Sequence, residues 1–293
     1  MLKVFEKENL NKLYKPKVDS SNEDNGQVTI IGGSRFFHGA PLLSLKVASR
    51  IVDMVFFTSP EPSLGGIVEH VKSKLLSFIW VPWKETEKYI EKSDAVLIGP
   101  GLMRFASEQM TMKLEQGNIL DEEGRRTREI TKRFLEKFPD KKWVIDAGSL
   151  QVMDPEWMPE GAIITPNKKE FEILFGKELE LRGQSLDYID LQLTSKYKCT
   201  IVLKGLKTIV CSPSKCVNIP GGNTGLTKGG TGDVLAGLTV ALLAKNGPFL
   251  AACAASYISK AAADELYQRV GPNYNADDLA EKIPEIFWKL VMQ

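Results

Sequence analysis

Asn223-Thr224-Gly225-Leu226-Thr227-Lys228-Gly229-Gly230-Thr231-Gly232-Asp233-Val234-Leu235-Ala236-Gly237 decides how the rest of the chain is read. Gly229, Gly230 and Gly232 put three glycines into four positions, so the backbone can turn tightly and bring its N–H groups close to a ligand that a side chain would keep away. Val234, Leu235, Leu238, Leu242 and Leu243 then recur at helical spacing, and the loop opens into a helix running to about Lys245. The start of such a helix carries unpaired N–H groups and a partial positive charge, which suits a phosphate or a developing oxyanion. Asp233 is the only carboxylate of the stretch. Beside a bound phosphoryl group it is placed to take a proton from a substrate hydroxyl. A cap on a helix that follows a glycine turn would use the same residue.

The rest of the composition narrows the class. The chain has 293 residues, 43% hydrophobic and 26% charged, as expected of a globular protein with an ample core. Thirty-eight basic and 37 acidic residues leave a net charge of +1, so neither nucleic acid nor an acidic membrane is an expected partner. Arg125, Arg126 and Arg128 read as the solvated face of a helix. The first 20 residues lack an apolar core of signal-peptide length, and no window approaches a membrane span, so a cytoplasmic protein is expected. Cys199, Cys211, Cys216 and Cys253 have no Cys-x-x-Cys spacing; Cys211 and Cys216 could face each other across a hairpin, but reduced buried thiols are the expectation. With His38 and His70 the only histidines, a histidine-based hydrolase or metal centre is disfavoured.

Residues 1–25 are polar and read as an extension draped on or dangling from a domain that fills 26–293. From there β-rich runs at 28–31, 55–58, 78–81, 95–98, 143–145, 162–164 and 200–203 alternate with helical stretches near 40–52, 64–76, 85–91, 106–116, 122–137, 168–175 and 185–197. That rhythm predicts βαβ units and a mostly parallel sheet covered on both faces. After Lys204 it breaks: 208–211 and 216–219 flank Ser212-Pro213-Ser214-Lys215 and predict an antiparallel hairpin added at one edge. A second long helix over 249–270 is rich in alanine, and Asn275-Ala276-Asp277-Asp278 starts a last helix that Pro284 should kink or divide.

Ligands of such sheets bind beyond the carboxyl ends of the strands. The segments there are Gly32-Gly33-Ser34 with Gly39-Ala40-Pro41, Gly99-Pro100-Gly101, Asp146-Ala147-Gly148, Thr165-Pro166-Asn167-Lys168-Lys169-Glu170 and Lys204-Gly205. Asn167 and Glu170, three apart at a helix start, could hold the water shell of Mg2+ beside phosphates, or could simply be a capping box.

Asn-x-x-Glu followed some sixty residues later by Gly-x-Gly-Asp, in a βαβ chain, resembles the ribokinase-like superfamily. Within it, Ile31-Gly32-Gly33-Ser34 with Gly39-Ala40-Pro41, Ile98-Gly99-Pro100-Gly101-Leu102, Ile164-Thr165-Pro166-Asn167-x-x-Glu170-Phe171, Leu203-Lys204-Gly205, Gly229-Gly230-Thr231-Gly232-Asp233 and Ala276-Asp277-Asp278-Leu279 resemble the NAD(P)H-hydrate dehydratases, in order over residues 17–293. The resemblance implies a three-layer αβα fold and a metabolite-repair lyase. Such an enzyme uses ATP or ADP, with Mg2+, to dehydrate the (S) form of hydrated NADH or NADPH by phosphorylating the ring hydroxyl and eliminating phosphate. It further implies that Asp233 is the base and a substrate contact, that Gly229, Gly230, Thr231 and Gly232 form the anion hole, and that Lys204, Gly205, Leu206, Lys207, Thr208 and Asn223 line the nucleotide. Ala40, Gly101, Asn167, Lys168, Lys169 and Glu170 would contact the hydrate, and Glu170 would reach Mg2+ through water.

The chain departs from the family pattern at Met103, where many members have glycine, and at Asn167-Lys168-Lys169-Glu170, where bacterial members often have His-Pro-Gly-Glu; the latter leans towards ATP. The epimerase domain that many relatives carry before this one is expected to be a separate protein, since 25 residues cannot hold it. A homo-oligomer is expected. The rival readings are a kinase of the same superfamily acting on a hydroxyalkyl vitamin precursor, and a nucleotide-binding protein without activity.

Overall fold

The structure, a computed structural model, describes residues 2–71, 75–105, 122–181 and 191–293. The helix expected over 106–116, residues 72–74 of the one expected over 64–76 and the first part of the one expected over 185–197 lie outside them, while 75–76 are not helical. Among the described residues the strands β1 (Lys3–Val4), β2 (Gln27–Ile31), β3 (Met54–Thr58), β4 (Ile79–Trp80), β5 (Ala95–Ile98), β6 (Lys142–Ile145), β7 (Ile163–Ile164), β8 (Thr200–Leu203), β9 (Thr208–Ser212) and β10 (Lys215–Ile219) form one sheet. Their order is β1-β10-β9-β8-β7-β6-β5-β2-β3-β4. All neighbours are parallel except β9, which runs antiparallel to β8 and β10.

Period-2 alternation divides the strands between two cores. Val28, Ile30, Ala95, Leu97, Val144, Ile163, Val202 and Val210 face one side, where the helices Gly39–Ala48, Thr231–Lys245, Pro248–Val270 and Ala276–Phe287 pack. Ile31, Val96, Ile98, Trp143, Ile145, Ile164, Ile201 and Cys211 face the other, against Ile130, Phe134 and Leu135 of Glu122–Lys137 and Phe171 and Phe175 of Lys168–Leu181. Strands buried on both faces read as continuous apolar runs, as these do. The three-layer arrangement with a mostly parallel sheet is the one expected from the sequence.

Several local expectations are corrected. Of the two expectations for the first residues, it is the draped one that is found, and more firmly: Lys3 and Val4 pair in parallel with Val217 and Asn218, beyond the hairpin, and Phe5, Leu10 and Leu13 are buried in the larger core. Pro284 lies inside the last helix without dividing it: the helix continues to Phe287 and passes into a wider turn at Trp288–Met292, with Ile283 and Ile286 buried on either side of the proline. A helix at Ala147–Val152 was not anticipated. Cys211 and Cys216 are joined, because the hairpin register sets them directly opposite each other with Cα atoms 4.1 Å apart; Cys199 and Cys253 are buried free thiols, and burial pushes Cys199 up to about 12. Nor is the arginine cluster simply solvated, since Arg126 donates to the Pro60 carbonyl and Arg128 donates to the Val152 carbonyl and lies 4.3 Å over the Trp157 ring.

Leu10 is fully buried although its neighbours are polar. Leu10→Ala should lower the unfolding free energy by about 2–5 kcal/mol in urea denaturation; a change below about 0.5 kcal/mol, ordinary for a surface site, would show that the N-terminal turn is not part of the core.

Candidate active site

The carboxyl ends of β6, β7 and β8 meet the glycine loop at a cavity of about 420 Å³. Each contributor is placed by local backbone chemistry. Asp146 follows β6 and its N–H donates to the Ile98 carbonyl at 3.0 Å. The next residue, Ala147, has φ 48, a left-handed conformation that a non-glycine residue rarely adopts, in the wall of the cavity. Gly99 is required opposite: a Cβ there would lie 1.8 Å from the Asp146 carbonyl oxygen. Asn167 and Lys204 extend the β7–β8 pairing by one parallel bridge, with the Lys204 N–H donating to the Pro166 carbonyl at 2.8 Å.

Lys204 is the centre of the charges. Its Nζ lies 2.9 Å from Asp146 Oδ1 and 3.7 Å from Glu170 Oε2, with the lysine side chain only 19% exposed. Asp146 Oδ1 also accepts from the Thr165 hydroxyl at 2.8 Å. Glu170 Oε2 accepts from the Asn167 N–H at 2.8 Å while Asn167 Oδ1 accepts from the Glu170 N–H at 3.0 Å, so the capping box is formed. Burial opposes the Lys204 ammonium, but Asp146 and Glu170 outweigh it and raise the lysine above its ordinary range. Burial raises Glu170, against the pull of Lys204.

The helix Thr231–Lys245 starts at Gly230, left-handed with φ 93. A Cβ at Gly230 would lie 2.6 Å from a Leu43 methyl and 2.8 Å from Ala276 Cβ, so only glycine fits both the conformation and the space. The Thr231 hydroxyl folds back onto the Leu226 and Lys228 carbonyls at 2.7 and 2.9 Å, and the Thr231 N–H donates to the Lys228 carbonyl at 3.4 Å, so the loop closes on itself ahead of the helix. Gly232 has room for a Cβ only 3.3 Å from Lys204 Nζ, so cation and helix start act on the same point. Asp233 sits there with its pKa raised to about 7, by burial first and then by Asp146 and Glu170, with Lys204 opposing. The Ser44 hydroxyl donates to the Asp233 carbonyl at 2.7 Å and fixes its backbone.

Of the residues named from sequence, the cavity is lined by Asp233, Gly229, Gly230, Thr231, Gly232, Lys204, Gly205, Leu206, Thr208, Asn223, Asn167 and Glu170. Lys207, Lys168, Lys169, Ala40 and Gly101 are not in its wall. Lys168, Lys169 and Lys207 are exposed, and Gly101 abuts Ala40, whose Cβ would lie 3.3 Å from a Cβ added at Gly101. The Asn223 amide is used internally: its oxygen accepts from the Gly225 N–H and the Tyr274 hydroxyl, and its nitrogen donates to Asp264. Asp264, Lys260, Ser256 and Ser259 were missed, being single polar residues of a helix whose only visible signal is its run of small side chains. Asp146 was recognised only as part of a strand end.

A family model described as NAD(P)H-hydrate dehydratase matches residues 28–285. The chain is 36% identical over 285 residues to the bifunctional NAD(P)H-hydrate repair enzyme Nnr of Methanocaldococcus jannaschii, a match covering 94% of this chain and 51% of that one. It is 28% identical over 277 residues to the ADP-dependent (S)-NAD(P)H-hydrate dehydratase of Nitrosopumilus maritimus, covering 92% and 90%. The chain thus spans about half the length of the bifunctional relatives it matches. The solved ADP/ATP-dependent NAD(P)H-hydrate dehydratase of Bacillus subtilis, co-crystallised with ATP/Mg2+, superimposes with a TM-score of 0.77 at 22% identity over 99% of both chains and shares the fold.

A carboxylate whose folded pKa lies above its unfolded one destabilises the fold as it ionises. The cost is absent below pH 4, grows between 3.8 and about 7, and is complete above. Asp233→Asn removes that titration, so at pH 8 the variant should be more stable than the wild type by about 2–4 kcal/mol, with the difference shrinking as pH falls towards 4. Parallel unfolding curves across this range would show that Asp233 ionises freely.

Proposed function

The chain belongs to the NAD(P)H-hydrate dehydratase family, and on that premise we propose that it converts (S)-NAD(P)H hydrate back to NAD(P)H with ATP or ADP as co-substrate. The observation that carries the reading is the placing of Asp233 at the first turn of Thr231–Lys245, in one cavity with Lys204 and with its proton affinity near neutrality. A base that must take a proton at pH 7 is best tuned there.

In the proposed sequence the nucleotide phosphates lie against the N–H groups of Gly229 to Gly232 and the Lys204 ammonium. Asp233 takes the proton of the ring hydroxyl as its oxygen bonds to the terminal phosphorus and the bond to the leaving nucleotide breaks. The ring nitrogen's lone pair then expels phosphate, and loss of a proton from the neighbouring ring carbon restores the double bond. The helix start stabilises the departing phosphate through preorganised N–H donors. Under this reading Asn167 and Glu170 meet the hydrate from the strand-end side, and Ala40 and Gly101 lie outside the cavity wall where the rest of a dinucleotide would extend.

Mg2+ fits the cavity as an ion carried by the nucleotide rather than caged by protein. Among the described residues no group of three His, Cys, Asp or Glu is placed to hold a metal, and Glu170, already bonded to Asn167, would reach the ion through water. When bound, such an ion neutralises phosphate charge. No described helix is long and apolar enough to cross a membrane, and the cytoplasm is the compartment we propose. A separate epimerase supplying the (S) form, and a homo-oligomeric assembly, complete the proposal.

Given hydrated NADH, Mg2+ and either nucleotide, the protein should restore the absorbance of reduced nicotinamide and release phosphate in equal amount. Phosphorylation of a hydroxyalkyl pyrimidine or thiazole with no recovery of absorbance would make it a kinase instead. Asp233→Asn should lose about 10²–10⁴-fold in turnover while retaining nucleotide binding. The wild-type kcat/KM should rise with pH to a plateau, with its midpoint near the Asp233 value of about 7; a flat profile, or near-normal turnover in the variant, would remove Asp233 from the chemistry.

A further inference from the structure

A strut supports the glycine loop from outside the cavity. Where Pro248–Val270 ends, the chain turns through Gly271-Pro272-Asn273 and sets Tyr274 and Ala276 against the loop: Ala276 Cβ is what a Cβ at Gly230 would meet, at 2.8 Å. Tyr274 meets the loop three times. Its hydroxyl donates to Asn223 Oδ1 at 2.7 Å, its ring takes the space that a Cβ at Gly225 would need, 2.3 Å away, and its carbonyl accepts from Lys228 Nζ at 2.5 Å. The side chain is buried, with the residue 1% exposed, and has no place in the cavity wall, so it reaches a ligand only through the loop.

Packing alone would need only the ring. A buried tyrosine hydroxyl needs a partner, and this one has the Asn223 amide. Burial pushes Tyr274 up to about 12, so the hydroxyl remains a donor at neutral pH. The amide that receives it is held on both sides: Asn223 Oδ1 also accepts from the Gly225 N–H at 3.0 Å, and Asn223 Nδ2 donates to Asp264 Oδ1 at 2.9 Å. The Gly222 N–H donates to both Asp264 oxygens, at 2.9 and 3.2 Å. These bonds fix the entry to the loop, and Lys228, bonded to the Pro272 and Tyr274 carbonyls, fixes its middle. The next residues are Gly229-Gly230-Thr231-Gly232.

We infer that Tyr274 is a positioning residue for phosphate binding: its hydroxyl, acting through the Asn223 amide, sets the conformation in which Gly229 to Gly232 receive the phosphates of the nucleotide. This rests on the nucleotide-dependent reading of the same cavity. Donors that must meet phosphate oxygens tolerate little displacement, so a group that never touches the ligand can govern its affinity by holding those that do. Lys204, Asn167 and Glu170 are held from the strand ends instead, so a change at Tyr274 should be felt by the nucleotide and not by the hydrate.

The test is Tyr274→Phe, which removes the hydroxyl and keeps the ring against Gly225, beside Asn223→Ala and the double variant. In titration calorimetry with Mg2+, inorganic tripolyphosphate should bind Tyr274→Phe roughly three- to tenfold more weakly than the wild type. The KM for the nucleotide should rise by the same factor while the KM for the hydrate does not move. The double variant should bind tripolyphosphate no more weakly than Asn223→Ala, because both changes break one link. Unchanged tripolyphosphate affinity in Tyr274→Phe, even with a lower unfolding temperature, would make the hydroxyl a structural group only and overturn the assignment. Losses that add in the double variant, or a Tyr274→Phe chain that does not fold, would overturn it too, and in each case the proposed reaction would stand. A wild type that binds neither tripolyphosphate nor ADP would overturn the nucleotide-dependent reading and this assignment with it.

Discussion

A buried ammonium between two carboxylates holds the floor of the cavity together. Lys204 comes from the end of β8, Asp146 from the end of β6, and Glu170 from the helix that follows β7. Taking these groups out of water is costly, and the cost is offset only while all of them are present and bonded; removing one partner strands the others. Sheet register is therefore chemistry here. Ile145 pairs with Ile164 and Ile164 with Ile201, and the Asn167–Lys204 bridge continues that ladder into the site. A slip of one residue would turn Lys204 to the opposite face and leave Asp146 buried and uncompensated.

The other half of the site depends on how closely the Thr231–Lys245 helix can approach its neighbours. A Cβ at Gly237 would lie 2.4 Å from the Ser44 carbonyl oxygen, and one at Gly225 would lie 2.3 Å from the Tyr274 ring. Neither glycine lines the cavity; both let helix and loop pack, and that packing sets where Gly230, Gly232 and Asp233 stand. The apolar residues behind them, Val234, Leu235 and Leu238, are buried in the same core as Leu45 and Val47. Hydrophobic burial thus positions a helix whose first turn carries a carboxylate costly to ionise, a local loss of stability that the large core tolerates.

What could be read from the sequence follows the range over which each signal acts. Strand rhythm, the glycine loop and Asp233 are local patterns, and they stand close to where they were expected. The β1 strand is invisible because two residues pair with Val217 and Asn218 more than 200 positions away. Asn223 resembles a ligand contact in sequence, yet Tyr274 and Asp264, far along the chain, take its amide. Lys260 and Asp264 have no local signature, because a lone polar residue in an alanine-rich helix acquires meaning only from what packs against it. The disulfide depended on register: a shift of one residue would have put Cys211 and Cys216 on opposite faces.

The charges in the cavity also constrain how the proposed reaction could run. Asp146, Glu170 and Asp233 all act on Lys204, and the first two raise the proton affinity of the third. Ionising Asp233 adds a negative charge to a cavity that already gathers Asp146 and Glu170 around one lysine. A nucleotide brings several more, against one lysine and the partial charge of a helix start. Such an anion can enter only with its own cation, or by drawing on a group that is neutral when the ligand arrives. Asp233, poised near neutrality, is that group: protonated it does not repel the incoming phosphates, and ionised it is the stronger base for the hydroxyl. Lys204 favours the ionised form and the two carboxylates the neutral one, so the balance among three fixed side chains decides when the base is ready. Changing any of the three would alter both the proton affinity of Asp233 and the packing of the cavity floor.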